Sequence, residues 1–312
     1  MQARPVVVGA DGSEESLRAV EWAAAEAARR EVPLRIVSVS PAPARAGDPR
    51  GDPAPAGPLT VDDALRDVYA QMLATTAQYA AGMAPGVAIE TELLSGKPAP
   101  MLVHDTPAAS MLVVGAFGVG GYGEMRAGPV SRYAATNATC PVVVVRDQAR
   151  TVHGEIVVAV RDPAKATAAL AFAFEEAALR GARVLAVHAW HWPPSPLTSP
   201  AAHDGAESSH GRGRAGVLTA PWHHSDTRAP SAQAAAQLAD LLRGWQRRYP
   251  RVPASPKVIH GNPGRVLAAL SGLADLTVIS RDGHEGRRMS SGLVRQTVLN
   301  HAQGAVAVIP PA

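Results

Sequence analysis

Glycines crowd the stretch between residues 115 and 128, where six of fourteen positions are glycine. The stretch follows an apolar run, Met111 to Val114, and precedes a helical segment and a second apolar run, Val142 to Val145. This order predicts a strand, a loop and a helix. Backbone amides that no Cβ covers, close to the start of a helix, form a concave site that suits phosphate. The loop is therefore predicted to bind an anion.

Two other kinds of phosphate loop fit this sequence less well. The Gly-Lys-Ser or Gly-Lys-Thr triplet of a P-loop does not occur in the chain. Gly118, Gly120 and Gly123 match a dinucleotide-binding fingerprint, with Asp147 about 24 residues further on. That fingerprint opens a βαβ unit, whereas this segment closes a domain. An NAD-dependent oxidoreductase is thus the less favoured interpretation, and a glycine loop without any ligand is a further alternative.

A second polar position follows the first apolar run of the chain. Pro5 to Ala10 predicts a short buried strand, and Asp11 stands just after it, where doubly wound sheets bind their ligands. Ser13 can cap a helix over Glu14 to Arg30, and a strand over Leu34 to Val39 completes a βαβ unit. Asp11 is predicted to contact a ligand; the alternative is that it stabilises its own turn.

The elements between these two positions complete an α/β domain. A proline-rich extended connection over residues 41–58 leads to a helix over 59–83, a strand over Val87 to Leu94 and a helix over Ala99 to Thr106. The order is β-α-β-α-β-α-β-loop-α-β. It predicts a doubly wound, five-stranded parallel sheet.

The same order recurs in the second half of the chain, which predicts a duplicated domain. Glu155 to Val160, Ala164 to Arg180 and Val184 to Trp190 repeat the first strand, the first helix and the second strand. Leu276 to Ile279 and Ala305 to Ile309 repeat the fourth and fifth strands. We therefore predict two domains, residues 1–150 and 151–312.

Residues 192–231 interrupt the second domain. They are rich in Pro, Ser, Gly, Ala and His without an apolar period, which predicts a mostly disordered insertion. Six of the eleven histidines fall between His188 and His224. They lack the helical spacing or carboxylate pairing of a formed metal site, so no metal site is predicted.

Composition limits the class of protein further. The net charge is only +3 despite a pI near 9.3, and no basic cluster with interleaved aromatic residues predicts a nucleic-acid partner. The single cysteine, Cys140, begins a buried strand and is interpreted as a small core residue. No leader sequence and no run of about 18 apolar residues is present, which predicts a cytoplasmic protein without membrane contact.

The spacing Gly115, two residues, Gly118, nine residues, Gly128 resembles the nucleotide loop of the universal stress protein family. The resemblance covers nearly the whole chain and implies two tandem domains of the universal stress protein, or adenine nucleotide alpha hydrolase-like, fold. It implies ATP, with or without Mg²⁺, as the ligand and a regulatory role in stress response. It also implies that the two fifth strands pair, so that the chain is an intrachain pseudo-dimer that can form a homodimer. A protein partner is expected but not identified.

The resemblance also assigns the ligand contacts of the first domain. They are predicted at Ala10, Asp11, Val39, Gly115, Gly118, Gly128, Pro129, Val130 and Ser131. Ser131 matches the second of two hydroxyl positions in the family. Pro129 stands at the first and supplies neither a hydroxyl nor a backbone donor.

The second domain departs from the family pattern. Arg161 replaces Asp11, Ser280 replaces Gly115, and Leu293 and Arg295 follow Gly292 where hydroxyls are expected. About one nucleotide per chain is therefore predicted, in the first domain. No catalytic constellation is recognisable, so we expect no enzyme beyond weak ATP hydrolysis. The main alternative is an interaction module of the same fold that binds no nucleotide.

Overall fold

The computed structural model describes residues 3–42, 61–104, 106–118, 127–146, 152–190, 228–281 and 289–311. Its first half contains β1 (Val6–Gly9), α1 (Glu14–Arg30), β2 (Leu34–Ser40), α2 (Val61–Met83), β3 (Ile89–Ser95), α3 (Pro98–His104), β4 (Met111–Gly115), α4 (Pro129–Asn137) and β5 (Val142–Val145). Its second half contains β6 (Glu155–Ala159), α5 (Thr167–Arg180), β7 (Arg183–Trp190), α6 (Arg228–Arg248), β8 (Ala254–His260), α7 (Pro263–Leu270), β9 (Leu276–Ser280), α8 (Met289–His301) and β10 (Val306–Ile309). We call these halves the first and second copies.

One ten-stranded sheet runs through both copies, in the order β3-β2-β1-β4-β5-β10-β9-β6-β7-β8. Every neighbouring pair within a copy is parallel, because a helix connects each strand to the next. The central pair, β5 and β10, is antiparallel, with Val143 opposite Ala307. This confirms the predicted α/β fold class and the pairing of the two fifth strands, which leaves neither as an open edge.

Helix α1 illustrates how local sequence sets an element. Ser13 caps it by accepting a hydrogen bond from the Ser16 amide at 3.1 Å, and two glutamates occupy the first turn. Its small residues recur every three or four positions, and Ala19, Ala23 and Ala27 are fully buried against the sheet. The helix has the bounds that the sequence predicts.

Two parts of the second copy differ from the prediction. Helix α6 begins at Arg228, so residues 228–231 are helical and were wrongly assigned to the disordered insertion. Residues 191–227 lie outside the described residues, as do most of the predicted connection over 41–58 and the predicted domain boundary at 150. Helix α5 begins at Thr167 instead of Ala164, after a 3-10 turn over Pro163–Lys165.

Cys140 is buried and forms no disulfide, as its position before β5 predicts. Burial raises the pKa of its thiol to about 12, so the thiol stays protonated at neutral pH. Among the described helices, none is both long and apolar enough to cross a bilayer.

Candidate functional site

Asp11 lies immediately beyond the carboxyl end of β1, as predicted. The preceding residue, Ala10, is buried and donates its amide to the Val37 carbonyl at 2.9 Å, which ties this end of β1 to β2. Asp11 Oδ1 accepts hydrogen bonds from the Ser13 amide at 3.0 Å and the Ser13 hydroxyl at 2.6 Å. The intervening Gly12 has a φ of 80°, which glycine adopts without strain. The carboxylate is therefore held in a fixed orientation by its own turn.

Gly118 and Asp11 meet at the beginning of the glycine loop. A Cβ on Gly118 would collide with Asp11 Oδ2, the carboxylate oxygen that the Ser13 turn does not use. The two predicted site residues are thus brought together across β1 and β4, although they are far apart in sequence. Residues 119–126, which hold the remaining glycines of the loop, lie outside the described residues.

Gly115 is required for packing. A Cβ at this position would stand 2.9 Å from the backbone carbon and oxygen of Glu15, in the first turn of α1. Contacts below about 3.0 Å are essentially absent from real structures, so only glycine fits here. The bare backbone that the sequence assigns to a ligand also allows helix α1 to approach β4.

The segment from Gly128 to Ser131 forms the start of α4. Gly128 is the N-cap and its amide donates to the Ala116 carbonyl at 2.7 Å. Pro129 occupies the first helical position, where its missing amide removes no intrahelical bond and its fixed φ suits the helix. The amides of Val130 and Ser131 follow in the first turn, which has no carbonyl partners of its own. This turn therefore presents fewer donors than the family pattern, as Pro129 predicts.

The Ser131 hydroxyl is buried and lies 3.1 Å from the Ala116 carbonyl and 3.0 Å from the Gly128 carbonyl. It thus joins the beginning and the end of the loop from inside. Its contact with phosphate stays a prediction. Val39, near the end of β2, is buried with an extended backbone, as the predicted adenine contact requires.

The second copy supports both ends of the first copy's loop, which the sequence does not reveal. At the beginning, the Phe117 ring lies 5.7 Å from the guanidinium of Arg146, which donates to the Leu299 carbonyl in α8. Arg146 is only 8% exposed, and burial lowers its pKa to about 10. At the end of the loop, the Ala127 amide donates to Asn300 Oδ1 at 3.2 Å. The loop of the first copy is therefore anchored on α8 of the second.

The corresponding region of the second copy has a different geometry. Helix α8 begins at Met289, so Gly292 lies inside the helix. Gly128, with which Gly292 aligns in sequence, is instead the N-cap of α4. In a helix that begins at Met289, the amides from Leu293 onward bond to carbonyls of the preceding turn. The amides that the resemblance assigns to phosphate are therefore bonded to carbonyls within the helix. Gly283 lies outside the described residues.

Metal binding finds no support in the described ranges. There, no group of three or more His, Cys, Asp or Glu side chains could hold a metal ion.

The geometry defines a tandem α/β protein whose first copy brings Asp11 and Gly118 together at the carboxyl ends of β1 and β4. The sequence profile of the Universal stress protein family matches residues 2–146 and again residues 154–310. Universal stress protein Rv2005c of Mycobacterium tuberculosis is 32% identical over 308 residues, covering 97% of this chain and 96% of its own. Universal stress protein Rv2623 of the same organism is 30% identical over 318 residues, covering 97% and 95%.

A solved structure extends the comparison to three dimensions. The crystal structure of a universal stress protein from Archaeoglobus fulgidus superposes with a TM-score of 0.64 at 15% identity, covering 100% of this chain and 97% of the other. At that identity the likeness concerns the fold alone. The family profile matches both copies, and Rv2005c is 32% identical over nearly the whole chain, so the chain belongs to the universal stress protein family.

Proposed function

We propose that the first copy binds an adenine nucleotide, ATP with or without Mg²⁺, and that the chain acts as a nucleotide-dependent regulator in stress response. The observation that carries this proposal is the meeting of Asp11 Oδ2 with the bare backbone of Gly118. A carboxylate at the end of β1 can accept hydrogen bonds from ribose hydroxyls. Uncovered amides beside it, continued by the first turn of α4, suit the phosphates.

Enzymatic turnover is not part of the proposal. Among the described residues, the groups beside the loop are the Asp11 carboxylate, glycine amides, the internally bonded Ser131 hydroxyl and the Arg146 guanidinium, which donates to the Leu299 carbonyl. Hydrolysis of a phosphoanhydride needs a positioned water and charge stabilisation beyond these groups. Regulation by occupancy of the cleft requires neither.

The test is a calorimetric titration of the nucleotide-free chain with ATP and Mg²⁺. Asp11→Asn keeps an oxygen that accepts from the Ser13 amide, so the turn survives while the carboxylate charge is lost. We expect the dissociation constant for ATP to rise about tenfold, which is the usual scale for a hydrogen bond to a charged group. Asp240→Asn, on the exposed face of α6, is the matched control and should leave binding unchanged.

A nucleotide-independent interaction module is the second candidate, favoured by Pro129 and by the inward bonding of Ser131. Absence of ATP binding at millimolar concentration would support that candidate and overturn ours. Binding of NAD in place of ATP would instead support the oxidoreductase alternative.

A further inference from the structure

A cleft opens in the second copy at the carboxyl ends of β6, β7 and β9, and we call it the second-copy cleft. Its cavity volume is about 70 Å³, and it opens to solvent. Its inner wall is apolar, formed by Val160, Val187, Leu267 and Ile279, all at most 3% exposed. Small-molecule sites combine such apolar walls with a few polar groups at one end.

The polar end of the second-copy cleft is cationic. Among the described residues, those that line it with a charge are Arg161, Lys165, Arg295 and one carboxylate, Asp162. Arg161 and Lys165 are exposed at the mouth, whereas Arg295 is half-buried. The pKa of the neighbouring Arg281 is lowered by burial and then by the positive charge of Arg295. Positive charge is thus concentrated on this side of the cleft.

The same positions in the first copy carry the opposite character. Pairing Glu26 with Glu176 and Arg30 with Arg180 aligns the first helices of the two copies, because each pair makes the same ion pair within its helix. In that alignment Asp11 and Glu15 correspond to Arg161 and Lys165. Ser131, aligned through the fifth strands, corresponds to Arg295. Two acidic side chains of the first copy are therefore replaced by basic ones in the second, and a neutral hydroxyl is replaced by a third basic group.

The two copies differ sterically at one position beside the second-copy cleft. In the first copy, Gly115 lets the backbone of Glu15 approach β4. The second copy has Ser280 at that position, and a Cβ there is incompatible with the same approach. Helix α5 accordingly begins three residues later than α1, and Ala166 gives it no side-chain cap. The 3-10 turn over Pro163–Lys165 takes the place of the first turn of α1, and Lys165 and Ala166 line the second-copy cleft.

We propose that the second-copy cleft binds a small organic anion, a carboxylate or phosphate monoester on a short apolar body. Arg161, Lys165 and Arg295 hold the anionic group, and the apolar body lies against the buried inner wall. Arginine suits both carboxylate and phosphate because its planar donors can bind two oxygens at once. This site is separate from the proposed nucleotide site in position and in ligand class.

The experiment uses the full-length chain, freed of nucleotide and titrated by calorimetry at constant ionic strength, because salt screens exposed charges. The probe is hexanoate, compared with neutral hexanamide, with acetate and with inorganic phosphate. We expect one hexanoate per chain, no measurable binding of hexanamide, and affinity for acetate or phosphate at least about tenfold weaker, since both lack the apolar body.

Three variants locate the binding. Arg295→Gln should weaken hexanoate about tenfold, and so should Lys165→Gln, whose exposed side chain can be replaced without loss of folding. Arg265→Gln removes an exposed arginine of α7 that does not line the cleft, and it should change nothing.

Four results would overturn the proposal: no hexanoate binding, equal binding of hexanamide, equal binding of acetate or phosphate, or binding unaffected by both cleft variants. Displacement of hexanoate by ATP would also contradict it, because the two ligands are assigned to different copies. A failure of ATP to bind leaves the hexanoate result unaffected, so the two proposals fail separately.

Discussion

The guanidinium of Arg180 in the second copy donates to the Glu26 carboxylate in the first copy at 2.6 Å. The reciprocal contact joins Arg30 of the first copy to Glu176 of the second. Each arginine also bonds the glutamate of its own helix, and each lies over an aromatic ring of the other copy, Arg180 over Trp22 and Arg30 over Phe172. Helices α1 and α5 are therefore joined by a pseudo-twofold cluster of two buried glutamates and two arginines.

This cluster predicts a large cost for removing one charge. Arg180→Leu leaves the two fully buried carboxylates with Arg30 and the more exposed Arg29, and we expect the free energy of unfolding to fall by about 3 kcal/mol. Arg183→Leu is the control, because Arg183 is 62% exposed and its pair with Glu155 should contribute at most about 1 kcal/mol. Urea unfolding of both variants gives the comparison. Equal losses would show that the buried cluster contributes no more than a surface pair.

The two glutamates of the cluster should differ in their pH dependence. Burial opposes ionisation of Glu26, but Arg180 and Arg30 outweigh it and lower the pKa of Glu26 below its ordinary 4.5. Burial, and then the charge of Glu26, raise the pKa of Glu176. Glu26 thus contributes stability above pH 4.5 that is lost as the pH falls through its folded pKa. Glu176 contributes stability below pH 4.5 that is lost as the pH rises through its raised pKa.

Glu26→Gln and Glu176→Gln test this difference by thermal unfolding across the acidic to neutral range. The stability of the unmodified chain relative to Glu26→Gln should increase with pH below 4.5 and then level off. Its stability relative to Glu176→Gln should decrease with pH above 4.5. Parallel curves for the two variants would contradict the assignment of the lowered and raised pKa values.

Gly115→Ala tests the packing of β4 against α1, and Gly82→Ala, in helix α2, is its control. Gly115→Ala places a Cβ 2.9 Å from the Glu15 backbone, and we expect a loss of roughly 1–3 kcal/mol. Gly82→Ala meets no atom within 4 Å in helix α2 and should gain about 0.5–1 kcal/mol through helix propensity. Denaturant unfolding measures both. A neutral Gly115→Ala would indicate that α1 can move away from β4 without cost.

Much of the fold is predictable from local sequence. The bounds of α1 follow from the Ser13 cap and the spacing of its alanines, and β5 follows from a run of four valines. The start of α5 differs from the prediction because a 3-10 turn over Pro163–Lys165 precedes the helix and Ala166 supplies no side-chain cap. The sequence places residues 228–231 in the insertion because of their biased composition, although they form the beginning of helix α6.

Part of the candidate site is also predictable from sequence, and part depends on tertiary contacts. Asp11 and Gly118 are each predicted to contact the ligand, and they meet because neighbouring parallel strands bring the carboxyl ends of β1 and β4 to one edge. The internal bonding of Ser131 could not be predicted, because it depends on the position of the Ala116 carbonyl. The support from Arg146 and Asn300 depends on contacts between the copies, and no sequence pattern specifies those.

Asn300 is a positioning residue for the first copy's loop, and its loss should weaken ATP binding. Asn300→Leu leaves the buried Ala127 amide without its acceptor, so the end of the loop loses its fixed position. We expect the dissociation constant for ATP to rise about tenfold, and the unsatisfied amide should lower the free energy of unfolding of the nucleotide-free chain by about 1–3 kcal/mol. Asn137→Leu, exposed on α4 and bonded only within its own helix, is the control. An unchanged affinity in Asn300→Leu would mean that the loop does not depend on α8.

The inequality of the copies predicts one ATP per chain. In the first copy, Asp11 and Gly118 meet at the carboxyl ends of β1 and β4. The second copy has Arg161 in place of the carboxylate. Its helix α8 begins at Met289, so the amides needed for phosphate are bonded within the helix. Gly118→Val should abolish ATP binding, because its side chain collides with Asp11 Oδ2. Arg161→Ala should leave the stoichiometry unchanged.

Thermal stabilisation gives an independent measurement of the same site. A ligand that binds only the folded chain adds about 2.7 kcal/mol at a hundredfold excess over its dissociation constant. Full-length protein should show this shift with ATP and Mg²⁺, and Gly118→Val should lose it. Gly115→Val is unsuitable for this purpose, because the contact with Glu15 would destabilise the fold itself. Two equivalent sites would show that the second copy binds nucleotide as well. A single site that survives Gly118→Val and disappears in Arg161→Ala would assign nucleotide binding to the second copy instead.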